Sequence, residues 1–146
     1  MADWDARWLG LADEVGSWSK DRSTKVGCIV IGSARQLLTA GYNGFPRRVN
    51  DDVDERHERP EKYLWTEHAE RNAIYNAARH GVQLQDGVMY VSWFPCADCA
   101  RAIIQSGIRG LVTSRLTDDS LRARWKDHHE VAKIMLEEAG VEVRIS

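Results

Sequence analysis

The order of helical and extended patterns along the chain constrains its fold more than any other feature of the sequence. Residues 3–19 carry apolar side chains three or four positions apart, which is typical of an amphipathic helix. The apolar, β-branched run at 26–31 ends at Gly-Ser, and residues 37–42 form a second extended segment that returns beside it. Helical and extended patterns then alternate to the end of the sequence. This order predicts an α/β fold with a mixed sheet that has helices on both faces.

The later elements are marked by apolar periodicity and by glycine or proline near their ends. The remaining helices are expected at 68–80, 95–107 and 121–139, and the remaining strands at 88–93, 111–113 and 141–145. Pro95 is expected in the first turn of its helix, where proline is well tolerated. Residues 47–66 show no periodicity and carry charges of both signs, and an irregular segment of this length is usually functional or mobile.

Composition excludes several classes of protein. The 146 residues include 20 basic and 22 acidic side chains, and a net charge of −2 argues against a protein that binds nucleic-acid phosphates. A membrane-spanning helix needs about 20 apolar residues, and the best candidate, 26–34, is far shorter. Asp3, Asp5 and Arg7 do not fit a signal peptide, and three cysteines do not suggest a disulfide framework. We therefore expect one cytoplasmic domain over residues 1–146, with reduced thiols and no membrane contact.

Two short segments place metal-binding side chains at the starts of predicted helices: His-Ala-Glu at 68–70 and Pro-Cys-Ala-Asp-Cys at 95–99. Cys96 and Cys99 lie one helical turn apart, so both sulfurs can reach one metal, and a helix N-terminus favours the thiolate. His68 supplies a third ligand from the other helix. Three protein ligands leave a tetrahedral Zn²⁺ one position for water, which is typical of catalytic zinc, whereas structural zinc has four protein ligands.

Glu70 lies on the first turn of the same helix, two residues after His68, and is placed beside the metal without ligating it. A carboxylate in that position can take a proton from the water and return it to a substrate. The alternative is a structural zinc site or inert core cysteines, with no catalysis.

Four other metal-binding side chains are interpreted as structural or solvent-facing. Cys28 lies in a predicted buried strand and is interpreted as a packed small hydrophobic residue. His57, His128 and His129 are assigned to a solvated loop and helix face, because no spare cysteines lie near them in the sequence to complete a second metal site.

The combination of His-x-Glu with Pro-Cys-x-x-Cys is the signature of zinc-dependent base deaminases. The chain resembles the cytidine deaminase-like superfamily, and most of all its deoxycytidylate (dCMP) deaminases, over nearly its whole length. Besides the zinc segments, the resemblance rests on Ser-Thr-Lys-Val-Gly at 23–27, Gly-Tyr-Asn-Gly-Phe-Pro-Arg at 41–47 and His-Ala-Glu-Arg-Asn-Ala-Ile at 68–74. The Gly-Tyr-Asn-Gly segment is the one that most favours the dCMP branch.

This resemblance implies a three-layer α/β/α fold with a five-stranded mixed sheet, and a homo-oligomer that is a hexamer or a dimer. It implies hydrolytic deamination of dCMP to dUMP and ammonia, a reaction that supplies dTTP precursors. One Zn²⁺ per chain would be held by His68, Cys96 and Cys99. Glu70 would carry a proton to N3 of the cytosine and then to the departing amine.

Five residues are candidates for substrate binding. Asn43 offers a donor and an acceptor on one amide, and the matching asparagine of the family lies against the nucleoside; alternatively, Asn43 only holds a turn. Thr24 and Lys25 lie where the family holds the phosphate, although cations in this loop can instead complement the end of the first helix. The last two candidates are Ala69 and Phe94, and an aromatic residue at a strand end is more often part of the core.

In many dCMP deaminases, dCTP activates and dTTP inhibits at a subunit-interface site that involves Gly-Tyr-Asn-Gly. By resemblance, the candidate effector residues here are Gly41, Tyr42, Gly44 and Arg47. The chain departs from the common family pattern at Arg48, where a glycine often follows Pro-Arg. The charged run at residues 47–62 has an alternative interpretation as a solvated loop without effector binding.

Other deaminases remain alternatives, namely those that act on cytidine, guanine, a modified dCMP or adenosine in tRNA. A tRNA-editing member usually shows Asp-Pro-Thr-Ala before His-Ala-Glu, where this chain has Leu-Trp-Thr-Glu at 64–67. The acidic balance also counts against a polynucleotide substrate. One methyl group changes binding by only about 1–3 kcal/mol, so a modified base is not distinguished. Outside the enzymes, the alternative is a protein in which zinc joins two helices.

Overall fold

The sheet of this protein is a single mixed sheet of five strands. The computed structural model describes residues 2–114 and 126–146. The strands are β1 (Gly27–Ile31), β2 (Leu37–Tyr42), β3 (Val88–Val91), β4 (Gly110–Thr113) and β5 (Glu142–Ile145). Their order across the sheet is β2-β1-β3-β4-β5. β1 pairs antiparallel with both β2 and β3, whereas β3, β4 and β5 run parallel. The predicted five-stranded mixed sheet is confirmed.

Helices cover both faces of this sheet. They are α1 (Trp4–Gly16), α2 (Lys62–Trp65), α3 (Ala69–His80), α4 (Ala97–Gln105) and α5 (Lys126–Glu138), with a 3-10 helix at Asp54–His57. α1 packs on one face, while α3, α4 and α5 form the layer on the other. The predicted three-layer α/β/α architecture is therefore confirmed. Within the described ranges, no helix combines the length and the apolar character that crossing a bilayer requires.

The central strand β1 divides the core between these two layers. Ile29 and Ile31 face α1, whereas Cys28 and Val30 face α3 and α4, as expected from the alternation of side chains along a strand. Each of these four side chains is at most 4% exposed. A strand buried on both faces needs a continuous apolar run, which is why the sequence at 26–31 lacks polar alternation. Cys28 packs in this core, in line with its interpretation from the sequence.

Close packing between β2 and α3 places the first turns of α3. A Cβ atom added at Gly41 would lie 2.4 Å from the backbone nitrogen of Ala73 and 2.8 Å from the carbonyl oxygen of Ala69. Only glycine allows this approach. The hydroxyl of Thr39 also donates to the carbonyl of Ala73 at 2.8 Å. The position of Glu70, one turn earlier on α3, is therefore set by the sheet.

Some element ends differ from the predicted ones. α1 ends at Gly16 rather than near residue 19, so Trp18 lies outside the helix and is 58% exposed. Pro95 does not lie in the first turn of α4, because Cys96 is the N-cap of that helix and keeps an extended backbone. The segment 47–66 holds the 3-10 helix and α2. Of the long helix predicted at 121–139, residues 121–125 lie outside the described part of the chain.

Candidate active site

Three potential metal ligands converge from the N-termini of two helices. The Nδ1 atom of His68 lies 3.5 Å from Sγ of Cys96 and 3.4 Å from Sγ of Cys99. All three ligand atoms lie within 4.8 Å of one another. No other group of three or more histidine, cysteine, aspartate or glutamate side chains in residues 2–114 and 126–146 is placed to hold a metal. The structure thus brings the predicted ligands together.

The spacing of these atoms fits zinc. With Zn–S bonds of about 2.3 Å and Zn–N bonds of about 2.0 Å, a tetrahedral site separates nitrogen from sulfur by roughly 3.5 Å. The observed separations of 3.4 and 3.5 Å agree with that value. One imidazole and two thiolates are also ligands that zinc favours. The group supplies three protein ligands, as catalytic zinc sites do.

The helix starts explain why the sulfurs are good ligands. His68 is the N-cap of α3, Cys96 is the N-cap of α4, and Cys99 follows three residues later. The partial positive charge of a helix N-terminus stabilises a nearby thiolate. A hydrogen bond from Cys99, together with His68, lowers the pKa of Cys96 to about 3 despite its burial. The lowered pKa favours the thiolate form of Cys96, which is the form that binds a metal cation.

Glu70 lies in the first turn of α3, next to this cluster but outside its ligand atoms. Its side chain is buried, at 5% exposure, and lines the same cavity as His68 and Cys96. Burial raises the pKa of Glu70 above its ordinary value, although the charge of His68 opposes the shift. A carboxyl group with a raised pKa can both accept and return a proton near neutral pH. The arrangement suits acid–base chemistry beside a metal.

A cavity of about 450 Å³ lies in front of these residues, a volume ordinary for a small-molecule site. Its walls come from parts of the chain that are distant in sequence. They are the loop before β1, Asn43 after β2, the irregular segment before α3, the N-terminus of α3, the turn between β3 and α4, and His129 of α5. We call the region around His68, Glu70 and Cys96 the metal part of the cavity.

A second region of the wall, the cationic part, is formed by Ser23, Lys25, Arg59 and Lys62. The ammonium of Lys62 lies 3.2 Å from both carboxylate oxygens of Asp21 and donates to the hydroxyl of Ser23 at 2.8 Å. Arg59 donates to the same hydroxyl at 3.3 Å. Burial opposes ionisation of Asp21, but backbone N–H groups and Lys62 outweigh it and lower its pKa. The negative charge of Asp21 offsets the positive charge of Lys62. The charges of Lys25 and Arg59 therefore leave the cationic part with a net positive charge.

Asn43 is buried in the cavity wall and connects it to the loop before β1. Its amide oxygen accepts from the N–H of Val26 at 2.9 Å, and its amide nitrogen donates to the carbonyl of Thr24 at 2.8 Å. Both halves of the amide therefore hold the backbone that carries Lys25. Asn43 therefore holds the local backbone, as the alternative interpretation of the sequence expected, and it also lines the cavity.

The other predicted substrate residues line the same cavity: Thr24, Lys25, Ala69 and Phe94. Ala69 and Phe94 are 1% and 5% exposed, and Phe94 also packs in the core beneath α3 and α4. Lys25 is exposed at the rim. The structure thus brings all five substrate candidates to one wall, and the core interpretation of Phe94 applies as well.

The four candidate effector residues lie away from this wall. Gly41 packs against α3, and Tyr42 is 40% exposed. Gly44 and Glu67 exchange two backbone hydrogen bonds, of 3.1 and 2.8 Å. Arg47 donates to an asparagine of α3. None of these four described residues lines the catalytic cavity.

Sequence reasoning missed the contribution of the irregular segment to the cavity. Arg59, Lys62, Tyr63 and Thr66 all line it. The signal that pointed to this role was the length of the segment at 47–66 without periodicity, which is typical of functional loops. Lys62 and Arg59 could not be identified individually, because their partners Asp21 and Ser23 lie 41 and 36 positions earlier in the sequence.

The prediction of a solvated face was wrong for His129. This residue is 6% exposed and lines the cavity, with its ring centroid 6.1 Å from that of Phe94 in an edge-on contact. His57 is not free in solvent either, because it stacks on Phe45 at 4.9 Å. Helical spacing alone could not place His129, since which face of α5 is buried depends on how α5 packs on α4. In the described ranges, no histidine joins a second metal cluster.

Comparisons with known proteins agree with this site. Residues 2–115 match the family model for the cytidine and deoxycytidylate deaminase zinc-binding region. An uncharacterized deaminase in the luxG 3′ region of Aliivibrio fischeri is 42% identical, over 98% of this chain and 93% of that protein. The deoxycytidylate deaminase of Homo sapiens is 32% identical, over 97% of this chain and 79% of the human protein.

Solved structures show the same fold. The dCMP deaminase of the cyanophage S-TIM5 in its apo form has a TM-score of 0.78 and covers 100% of this chain and 99% of its own, at 22% identity. A second structure of that phage enzyme, in complex with dCMP and dUMP, also has a TM-score of 0.78. With the family model and the metal cluster taken together, this chain belongs to the zinc-dependent cytidine and deoxycytidylate deaminase family.

Proposed function

We propose that this chain hydrolyses dCMP to dUMP and ammonia, with residues 1–146 acting as one deaminase domain. The observation that carries the proposal is that one cavity joins the metal part, with Glu70, to the cationic part, with Lys25 and Arg59. The first suits deamination of a base, and the second suits an anionic phosphate. Relatives named deoxycytidylate deaminases support dCMP as the substrate.

The residues of the metal part have two roles, metal binding and proton transfer. His68, Cys96 and Cys99 would hold zinc, which lowers the pKa of a bound water from about 15.7 towards 7. Glu70 accepts one proton from the attacking water and delivers it to N3 of the cytosine, which makes C4 electrophilic, and the remaining hydroxide forms a bond to C4. Glu70 then takes the proton of the new C4 hydroxyl group and gives it to the amine, so that the C4–N bond breaks, ammonia leaves and the C4 carbonyl of uracil remains. Its raised pKa favours this return of the proton.

The proposal is tested by measuring ammonia release from a panel of substrates with the zinc-loaded protein. We expect kcat/KM for dCMP to exceed that for deoxycytidine at least tenfold. The reason is that only dCMP has a phosphate to contact the cationic part, and such an ionic contact is worth about 1.5–3 kcal/mol. The panel includes cytidine, guanine, 5-methyl-dCMP and a tRNA anticodon stem-loop, to cover the alternative deaminases. Zinc near one per chain with no ammonia from any of these compounds would contradict the proposed function.

Variants of the cationic part locate the phosphate contact. Lys25→Ala and Arg59→Ala are each expected to lower kcat/KM for dCMP about 10- to 100-fold, with that for deoxycytidine unchanged within a factor of about three. Arg22→Ala is the matched control, since Arg22 is an exposed cation of the same loop that pairs with Asp54 and does not line the cavity. Equal losses on nucleotide and nucleoside would rule out a phosphate contact.

We also propose that the chain forms a homo-oligomer, a hexamer or a dimer, in which dCTP and dTTP bind near Gly41, Tyr42, Gly44 and Arg47. Gly41 and Tyr42 lie in β2, an edge strand of the sheet, and the exposed ring of Tyr42 meets that of Trp18, while Gly44 and Arg47 follow the strand. Sigmoidal dCMP saturation that dCTP makes hyperbolic, with inhibition by dTTP, is the expected behaviour. Kinetics insensitive to both triphosphates would refute effector binding, and sedimentation analysis gives the subunit number.

A cytoplasmic location is part of the same proposal. Cys28, Cys96 and Cys99 are all free thiols in the structure, which suits a reducing compartment. A site that depends on thiolate ligands also requires cysteines that are kept reduced.

A further inference from the structure

Among the described side chains of α5, His129 is the one that lines the cavity. It is 6% exposed, whereas its neighbours on the same turn, Asp127 and Glu130, are exposed to solvent. Its imidazole ring meets Phe94 edge-on, with centroids 6.1 Å apart and an interplanar angle of 74°. Aromatic pairs in this geometry stabilise each other and hold both rings in place. The contact therefore fixes the ring of His129 at the cavity wall.

The position of Phe94 tells which part of the cavity His129 borders. Phe94 lies two residues before the metal ligand Cys96, so His129 belongs to the metal part rather than to the cationic part. For deamination, C4 and N3 of the base must come within reach of Glu70. The metal part is therefore the region that receives the pyrimidine ring, while the phosphate extends towards Lys25 and Arg59.

We propose that His129 is a substrate-binding residue that contacts the pyrimidine ring of the substrate and, with Phe94, forms the wall against which that ring packs. This inference rests on the proposed dCMP deamination. The aromatic rings of Phe94 and His129 at the metal part offer flat surface for a planar base. His129 contacts the base through its ring, so nucleotide and nucleoside experience this contact equally.

The test compares His129→Ala, which removes the ring, with His129→Phe, which keeps it. His129→Ala is expected to raise KM about tenfold for dCMP and for deoxycytidine alike, with kcat changed less than threefold. The dissociation constant of the product dUMP, measured by titration calorimetry, rises by the same factor. His129→Phe restores both values to within threefold of the wild type.

His128→Ala is the matched control, because His128 lies on the same helix but does not line the cavity. The KM of this variant for dCMP is expected to match that of the wild type. Zinc content and melting temperature of each variant show whether the fold is kept. If His129→Ala unfolds, His129→Leu, which fills the space without a planar ring, replaces it, and an unchanged dUMP affinity in His129→Leu overturns the inference. An unchanged dUMP affinity in a folded His129→Ala, or a loss confined to dCMP, overturns the inference. A wild-type protein without activity on any cytosine compound refutes the proposed function instead, while dUMP binding still tests His129.

Discussion

Replacing Glu70 by glutamine is expected to lower kcat for dCMP by about three to four powers of ten. Glutamine has nearly the same shape but cannot carry a proton, and positioned acid–base catalysis is worth about 10²- to 10⁴-fold for a transfer step. Glu70 is proposed to serve two such transfers. The fold should tolerate the change, because the burial that raises the pKa of Glu70 already disfavours its charged form.

Steady-state ammonia release, zinc content and thermal melting together check this prediction. Zinc is expected to stay near one per chain, since the carboxylate of Glu70 is outside the ligand cluster. Glu130→Gln, the same chemical change at an exposed position of α5, serves as control and should retain full activity. Near-normal turnover by Glu70→Gln would remove this residue from the mechanism.

Replacing Cys96 by serine is expected to abolish zinc binding and lower the melting temperature by about 10 °C. Cys96 has a lowered pKa and contacts His68, so its thiolate is expected to be one of the zinc ligands. A metal present at about 1,000 times its dissociation constant stabilises a fold by roughly 4 kcal/mol, and each kcal/mol shifts the melting temperature of a chain this size by about 2–4 °C. Metal binding is thus coupled to folding.

Elemental analysis after dialysis and scanning calorimetry measure the two effects of Cys96→Ser. Cys28→Ala is the matched control, because Cys28 is a buried thiol that lies in the core and outside the ligand cluster. The control is expected to keep zinc near one per chain even if removal of core volume lowers its stability. Full zinc content in Cys96→Ser would show that the metal is held elsewhere.

Short-range patterns were sufficient to predict the metal centre. Cys96 and Cys99 are one helical turn apart, and His68 stands at the start of its own helix, so each half of the site depends on local geometry. The alternation of helices and strands likewise predicted a three-layer fold, because few arrangements bury such elements. The helices α3 and α4 pack on the same face of the sheet and contact each other, which brings the two halves of the site together.

The walls of the cavity could not be predicted in the same way. Lys62 binds Asp21 across about 40 residues, in a segment whose sequence shows no periodicity. Pro95 was expected inside α4, but Cys96 takes the N-cap position, a difference of two residues that local preferences do not resolve. His129 was expected in solvent, although it faces Phe94.

The sequence by itself predicted the side chains that the structure brings together to hold a metal, and the fold class that presents them. These features follow from residue type and spacing within single helices, where geometry is regular. The tertiary structure alone decided which distant side chains share a cavity with Glu70, namely Arg59, Lys62 and His129. Contacts between separate elements depend on how whole layers pack, and no short-range pattern encodes that packing.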